Sequence, residues 1–543
     1  MLRMLLDKIE NLCTKIKHPR NENASISAAT NKIFSLRKFI FTLAYVICIW
    51  LLSTFLLQAF GEKPHTVQTL AVFVFCSFFC ASQKTFKYLV LPATIVIGIY
   101  SPIGLLYGKP SYQFIVSLFA TTSSEASEFL ANFPISLIIK GLSIPILGIL
   151  SYLAAKQGNL LPWRNKTYVL LSALILILCG RPTPFFHTLK AAFFQVDEEN
   201  AAIHSLMKQS SWANVTGGSK PTDYILVIGE SVRRDFLNIY GYPIRNTPFL
   251  SQSNQATVVN GLTSAAQNTA ASLRLMLTWP NINEWEPRYN YTFISLAKAA
   301  GYRTVWLSNQ GYSGIDTPVT AIAKQADSTI FTTGESSTGS TASDLVLLKL
   351  LQAELGKETT GSRLVVLHMM GSHSSACRRV REMRMEYSYK SSDKSYEELA
   401  CYLSTIRLAD RLLEQATSMM NKYSSQTGRP FSILWFSDHG QVQKLEDGMH
   451  KMRHGNMDWP SFEVPLIKID SDAKKAVHID SFKSGLCFTC GLAGWMNIRA
   501  KDLPACNLFD GKDDPDFGLK ERLKNADKDP AEVFDVQWGK TDL

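Results

Sequence analysis

The sequence predicts an N-terminal five-helix transmembrane domain followed by an α/β domain on a mainly parallel sheet. Three observations carry this reading. The chain has 543 residues, and single cores rarely grow past about 300. Its long apolar runs fall almost entirely before about residue 187. Beyond that point short apolar runs alternate with helix-like stretches, the rhythm of a parallel sheet covered by helices.

Five apolar stretches, near 39–60, 66–83, 87–107, 133–154 and 167–187, reach or approach the ~20 helical residues that cross a bilayer core. The first follows a long polar leader, unlike the apolar core of a cleavable signal peptide, and is expected to stay as an anchor. Basic residues crowd that leader (Arg3, Lys8, Lys15, Lys17, Arg20, Lys32, Arg37, Lys38) and two connections (Lys84 and Lys87; Lys156, Arg164 and Lys166). All three segments then share the cytoplasmic side, and an odd number of crossings sends the large remainder to the opposite face, in a bacterium the periplasm or exterior. The expected units are a cytoplasmic leader and five-span membrane domain at 1–187, a linker at 188–220 and a large outer domain at 221–543. The net charge of +10 reads as a topology signal, so no nucleic-acid partner is inferred.

Residues 2–17 carry Leu2, Leu5, Leu6, Ile9, Leu12 and Ile16 at helical spacing among lysines, which suits a helix lying in the membrane interface. Lys140 falls inside the fourth span, where it can snorkel or meet an anionic head group. In the outward segment 108–132, Thr121 and Glu125 stand one helical turn apart, so a carboxylate at the membrane surface could pair with a lipid ammonium.

Four apolar runs beyond residue 220 end in polar clusters: Tyr224-Ile-Leu-Val-Ile-Gly-Glu-Ser, Arg303-Thr-Val-Trp-Leu-Ser-Asn, Leu364-Val-Val-Leu-His-Met-Met-Gly-Ser-His and Phe431-Ser-Ile-Leu-Trp-Phe-Ser-Asp-His-Gly. Helical patterns lie between them, around 293–300, 342–354 and 396–421. Ligands bind beyond the carboxyl ends of such strands, so Glu230, Asn309, His373, Asp438 and His439 should converge on one rim. Glu, Asp and His are ligands for zinc, and less so for manganese. His454 is a further candidate on a following loop, with His450 as its rival. Thr269 stands where small polar residues give way to a helical pattern, a place where free N–H groups favour a phosphate. Its hydroxyl becomes a nucleophile once a metal lowers its pKa.

These segments resemble the phosphoethanolamine transferases of Gram-negative inner membranes, members of the alkaline phosphatase and sulfatase superfamily. The resemblance covers the five spans, Thr121-x-x-x-Glu125, Val-Ile-Gly-Glu230-Ser-Val-Arg-Arg, Asn246-Thr-Pro-Phe, the Thr269 segment, Met-Gly-Ser-His373 and Phe-Ser-Asp438-His439-Gly. It implies an alkaline-phosphatase-like outer domain in which Glu230, Thr269, Asp438 and His439 hold a zinc, with Thr269 also the nucleophile. His373 and His454 would handle the phosphoryl group or a second zinc, Thr121 and Glu125 the lipid head group, and Asn309 the substrate. The implied reaction moves phosphoethanolamine from phosphatidylethanolamine onto Thr269, releasing diacylglycerol, and then onto a periplasmic glycan or lipopolysaccharide acceptor.

The lipid A-modifying branch flanks its nucleophile with cysteines and carries a lysine where this chain has Ser313. Neither feature is present, and Ser-Asn-Gln-Gly, Met-Gly-Ser-His-x-x-Ala-Cys and Cys-Tyr-Leu-x-Thr are most similar to the branch acting on osmoregulated periplasmic glucans. The alternatives are a lipid A or lipopolysaccharide-core transferase and a lipoteichoic-acid-type glycerol-phosphate transferase. No Cys-x-Pro-x-Arg or Ser-x-Pro-x-Arg segment for making formylglycine is present, which speaks against sulfate-ester hydrolysis. In an oxidising compartment the outer cysteines should pair, Cys377 with Cys401 and Cys506 with Cys487 or Cys490.

Overall fold

Tyr224-Ile-Leu-Val-Ile-Gly is apolar at every position, so the strand it forms must be covered on both faces, and that requirement organises the larger of two compact units. The computed structural model describes residues 23–109, 134–179, 189–191, 193–194, 197–198, 201–203, 210–312, 317–332, 343–455 and 458–540. Thr121, Glu125, Ser313 and the helical pattern of residues 2–17 lie outside the described residues.

The first unit contains α1 (Asn23–Ala59), α2 (Thr66–Phe79), α3 (Leu91–Tyr107), α4 (Ile135–Gln157) and α5 (Lys166–Cys179). Each overlaps one of the five expected apolar stretches, and residues 180–187 of the last lie outside the described residues. Three helical rods, Ser35–Ala59, Gln83–Leu106 and Ile135–Gln157, are long and apolar enough to cross a membrane; α2 and the described part of α5 are shorter. Helices α3 and α4 cross where Gly98 and Gly141 face each other, and a Cβ on either would stand within 2.8 Å of the other's carbonyl oxygen. Such close backbone approach is the usual basis of helix association in lipid. Lys140 is exposed on α4.

The second unit carries, in chain order, β1 (Asp223–Gly229), β2 (Ala256–Thr263), β3 (Arg303–Ser308), β4 (Ser328–Phe331), β5 (Arg363–His368), β6 (Tyr387–Lys390), β7 (Phe431–Ser437), β8 (Val442–Glu446), β9 (Met449–Arg453), β10 (Leu466–Asp470), β11 (Val477–Ser484) and β12 (Gln537–Lys540). Eight of them form one sheet in the order β11-β2-β10-β7-β1-β5-β3-β4, while β6 pairs with β12 and β8 with β9. Only β10 runs against its neighbours in the large sheet. The four predicted strands are β1, β3, β5 and β7, side by side and parallel. Alternation along them sends Ile225, Val227, Ile433 and Trp435 into one core and Tyr224, Leu226, Ile228, Leu434 and Phe436 into the other.

The amino ends of the central strands are tied by charge. Asp223 and Arg363 are both fully buried, and Asp223 accepts from Arg363 Nε at 3.0 Å and Arg429 Nε at 3.0 Å. In register, Ile228 pairs with His368 and Phe436, and Gly229 with Ser437. The carboxyl ends of β1, β5 and β7 therefore finish level, and the segments leaving them share one rim.

Candidate metal and phosphoryl-transfer centre

Glu230 leaves β1 and Asp438-His439 leave β7 at matched positions, so the three side chains meet, all buried, with ligand atoms within 4.8 Å of one another. Ser231, at φ 62°, turns the chain so that its N–H donates to Asp438 Oδ1 at 3.1 Å and its hydroxyl to Glu230 Oε1 at 2.7 Å. His439 N also donates to Asp438 Oδ1, at 2.8 Å. Asp438 Oδ2 is buried, accepts no hydrogen bond and stands 3.5 Å from His439 Nε2. Nδ1 of His439 lies 2.7 Å from the Gly440 carbonyl; donation there fixes the ring and turns Nε2 toward the carboxylates.

The electrostatics of the three groups show what the cluster lacks. Burial pushes Asp438 up, and the Glu230 charge adds to it, to about 7. Burial would lower His439, but the Asp438 and Glu230 carboxylates outweigh it and raise the imidazole to about 9. Burial would likewise raise Glu230, yet hydrogen bonding and charge from His439, then the charge of His373, hold it well below the carboxylate range. Two buried acids and an imidazole with an orphaned carboxylate oxygen are a donor set that a divalent cation satisfies.

Thr269 begins α6 (Thr269–Met276), capped by Asn268, whose Oδ1 accepts from Ala271 N at 2.9 Å. Its hydroxyl donates to Glu230 Oε2 at 3.0 Å and lies 3.3 Å from His439 Nε2. Ser272, one turn on, donates to the Asp438 carbonyl at 2.7 Å and pins the helix to the end of β7. The His454 ring lies 5.1 Å from that of His439 and 5.9 Å from that of His373. Nδ1 of both His373 and His454 is buried without a hydrogen-bond partner. The rival of His454 is elsewhere: His450 stacks on Tyr396 at 4.1 Å and pairs with Glu532 at 2.9 Å.

Asn309 stands at the rim, but its Nδ2 donates to Asp344 Oδ1 at 2.7 Å and its Oδ1 accepts from Thr332 at 2.6 Å. Its neighbour Gln310 is the residue that reaches the cluster, donating through Nε2 to Glu230 Oε2 and to the Met369 carbonyl, both at 3.0 Å. Asp344, buried and not anticipated from the sequence, also accepts from Met370 N and Gly371 N at 2.8 and 2.9 Å. It thereby shapes the turn that carries His373. Gly371, at φ 51°, lies so close to Glu230 that a Cβ would come within 3.0 Å of that residue's backbone. Cys377 bonds Cys401, and Cys506 bonds Cys490, leaving Cys487 as a buried thiol.

The family model described as Sulfatase matches residues 222–498, the span holding the sheet and every one of these rim residues. A Haemophilus influenzae protein provisionally named a phosphoethanolamine transferase is 37% identical over 410 residues, covering 74% of this chain and 84% of its own. The phosphoethanolamine transferase OpgE of Escherichia coli is 30% identical over 442 residues, with 77% and 81% covered. Among solved structures, the integral membrane lipooligosaccharide phosphoethanolamine transferase A (EptA) of Neisseria meningitidis shares the fold at a TM-score of 0.54 and 14% identity, over 86% of this chain and 95% of that one. The Sulfatase match, over a mainly parallel sheet that gathers a threonine and a buried Glu-Asp-His cluster at its carboxyl rim, places the chain in the sulfatase family. Within it, the chain belongs to the phosphoethanolamine transferases.

Proposed function

We propose that this enzyme takes phosphoethanolamine from phosphatidylethanolamine onto Thr269 and passes it to a hydroxyl of a periplasmic glycan, an osmoregulated glucan above all. The observation that carries the reading is the Thr269 hydroxyl, 3.0 Å from Glu230 Oε2 and 3.3 Å from His439 Nε2 at the start of a helix. In the first step Thr269 Oγ1 attacks phosphorus and the bond to diacylglycerol breaks, the threonine proton passing through His373 or His454 to the departing diacylglycerol oxygen. In the second an acceptor hydroxyl attacks the same phosphorus and Thr269 leaves, restoring the hydroxyl. His373 and His454, with Nδ1 atoms buried and unpartnered, are suited to hold phosphoryl oxygens or to exchange a proton with the leaving and entering oxygens.

Glu230, Asp438 and His439, with Thr269 beside them, would hold zinc, and zinc bound there supplies the positive charge that acidifies the threonine hydroxyl and offsets charge on the phosphoryl oxygens. Asn309 then acts through Asp344 and the His373 turn, as a positioning residue.

Five apolar helices ahead of the centre suit a donor drawn from the membrane, with the catalytic unit in the periplasm. The wording Ser-Asn-Gln-Gly, Met-Gly-Ser-His-x-x-Ala-Cys and Cys-Tyr-Leu-x-Thr, most similar to the glucan branch, supports that acceptor. Glu125 is assigned the ethanolamine ammonium and Thr121 a neighbouring contact; Glu125→Ala should lower transfer from the lipid donor more than cleavage of a small soluble phosphodiester. Mass spectrometry of periplasmic glucans, lipid A and core oligosaccharide from cells with and without the protein tests the acceptor. A gain of one phosphoethanolamine on the glucans alone is expected. A gain confined to lipid A or core would replace that acceptor.

A further inference from the structure

We propose that a cavity of about 520 Å³, floored by the β6–β12 pair, is a docking site for a neutral, hydroxyl-rich glycan. This rests on the glycan-acceptor reading and adds to it the residues that would hold the sugar away from the reacting phosphorus.

The platform follows from strand geometry. In the antiparallel β6–β12 pair Trp538 stands opposite Tyr389, and Tyr387 lies two residues along the same face. The Trp538 ring packs 4.9 Å from Tyr389 and 6.4 Å from Tyr387. Trp538 and Tyr387 remain 44% and 48% exposed, two adjacent aromatic faces left to solvent in a unit whose other large apolar side chains are mostly covered. The indole N–H of Trp538 and the hydroxyl of Tyr387 make no hydrogen bond among the described residues. Tyr389, in contrast, is buried and spends its hydroxyl on the Arg245 carbonyl at 2.6 Å, fixing the opposite wall.

The polar lining selects the ligand. Arg245 is exposed and forms no ion pair among the described residues, while Asp535 supplies a carboxylate beside it. Arg407 lies 5.9 Å over Trp538 and is already neutralised by Asp410 at 2.5 Å. The charges balance, so a polyanion gains nothing here. A pyranose gains twice: its C–H face stacks on the indole, and its hydroxyls meet a forked donor at Arg245 and an acceptor at Asp535. The site is coupled to the centre by one helix. Arg407 lies in α7 (Glu397–Thr427), two residues after Thr405, whose hydroxyl donates at 2.8 Å to Ser372, the neighbour of His373.

The test uses the full-length enzyme in micelles with phosphatidylethanolamine and a neutral β-linked gluco-oligosaccharide. Titration of that oligosaccharide into the wild-type protein should change tryptophan fluorescence saturably, and Trp538→Ala should abolish the change. In transfer assays Trp538→Ala and Arg245→Ala should raise the oligosaccharide KM about tenfold, a loss of ~1.4 kcal/mol, with kcat within threefold, and Trp538→Phe should recover most of it. An unaltered KM in both alanine variants overturns the docking site, as does tighter binding of a sulfated oligosaccharide than of the neutral one. If Trp538→Ala does not fold, the Arg245→Ala value decides. Saturable binding at Trp538 without transfer upholds the docking site and rejects the acceptor reading; transfer with no Trp538 dependence does the reverse.

Discussion

Thr269 and Gln310 share one acceptor: the threonine hydroxyl and the glutamine amide both donate to Glu230 Oε2, each at 3.0 Å, from positions 41 residues apart in the chain. The carboxylate is thus oriented from two sides before any substrate arrives. Thr269→Ala removes the hydroxyl proposed as nucleophile while Glu230, Asp438 and His439 still offer a three-ligand site. Transfer should fall by at least about a thousandfold with most of the bound zinc retained, measured by turnover and by elemental analysis on the same preparation. Near wild-type turnover would remove Thr269 from the mechanism.

Gln310→Ala should reduce transfer by about tenfold, the effect of losing one ~1.4 kcal/mol hydrogen bond to a charged group. Gln310→Glu should be worse, since it sets a second carboxylate against Glu230 Oε2. The kinetic comparison of the two variants checks the sign; a Glu variant as active as wild type would mean that the contact carries no charge information.

Asp344→Ala takes the acceptor from Met370 N and Gly371 N in one buried turn and removes a contact of Asn309 Nδ2. At about 1–3 kcal/mol for each unsatisfied donor, the melting temperature should drop by several degrees and transfer should fall with it. A variant that melts normally but has lost activity would instead give Asp344 a chemical role.

Zinc affinity should strengthen as pH rises. In the metal-free centre His439 is raised to about 9, so at neutral pH it carries a proton that the metal must displace. Each unit of pH between 7 and 9 then tightens binding by up to about tenfold, and Asp438, raised to about 7, steepens the dependence below that point. Chelator competition at pH 6, 7 and 8 measures the slope; a flat profile would exclude His439 as a ligand.

Peptide mapping without reduction should recover Cys377 joined to Cys401 and Cys490 to Cys506. Cys487 should react with an alkylating reagent only after unfolding, because it is buried and burial pushes its thiol up to about 12.

The strands that build the centre were legible because each is a continuous apolar run ending abruptly in Glu, His or Asp-His. A buried parallel strand has no other way to end than in the groups of the rim. The remaining strands on that side carry no such mark: β10 runs against its neighbours, β2 pairs with it and β11 closes the edge, and each mixes polar with apolar residues as many surface segments do. Asn309 drew attention as the residue closing β3, whereas the side chain that reaches Glu230 belongs to Gln310, since successive residues beyond a strand diverge in direction. Asp344 left no trace at all, because a lone acid before a helix reads as an ordinary helix start.

The pairing of Gly229 with Ser437 gives the enzyme a built-in proofreading of its own assembly. A one-residue slip between those two strands would leave most apolar contacts replaceable but would carry Asp438 and His439 past Glu230 onto the wrong faces. Catalytic competence therefore reports strand alignment to a single residue, and a population of misaligned molecules would look folded by secondary-structure content while binding no metal. Counting zinc per chain in refolded material measures the fraction that found the one working alignment.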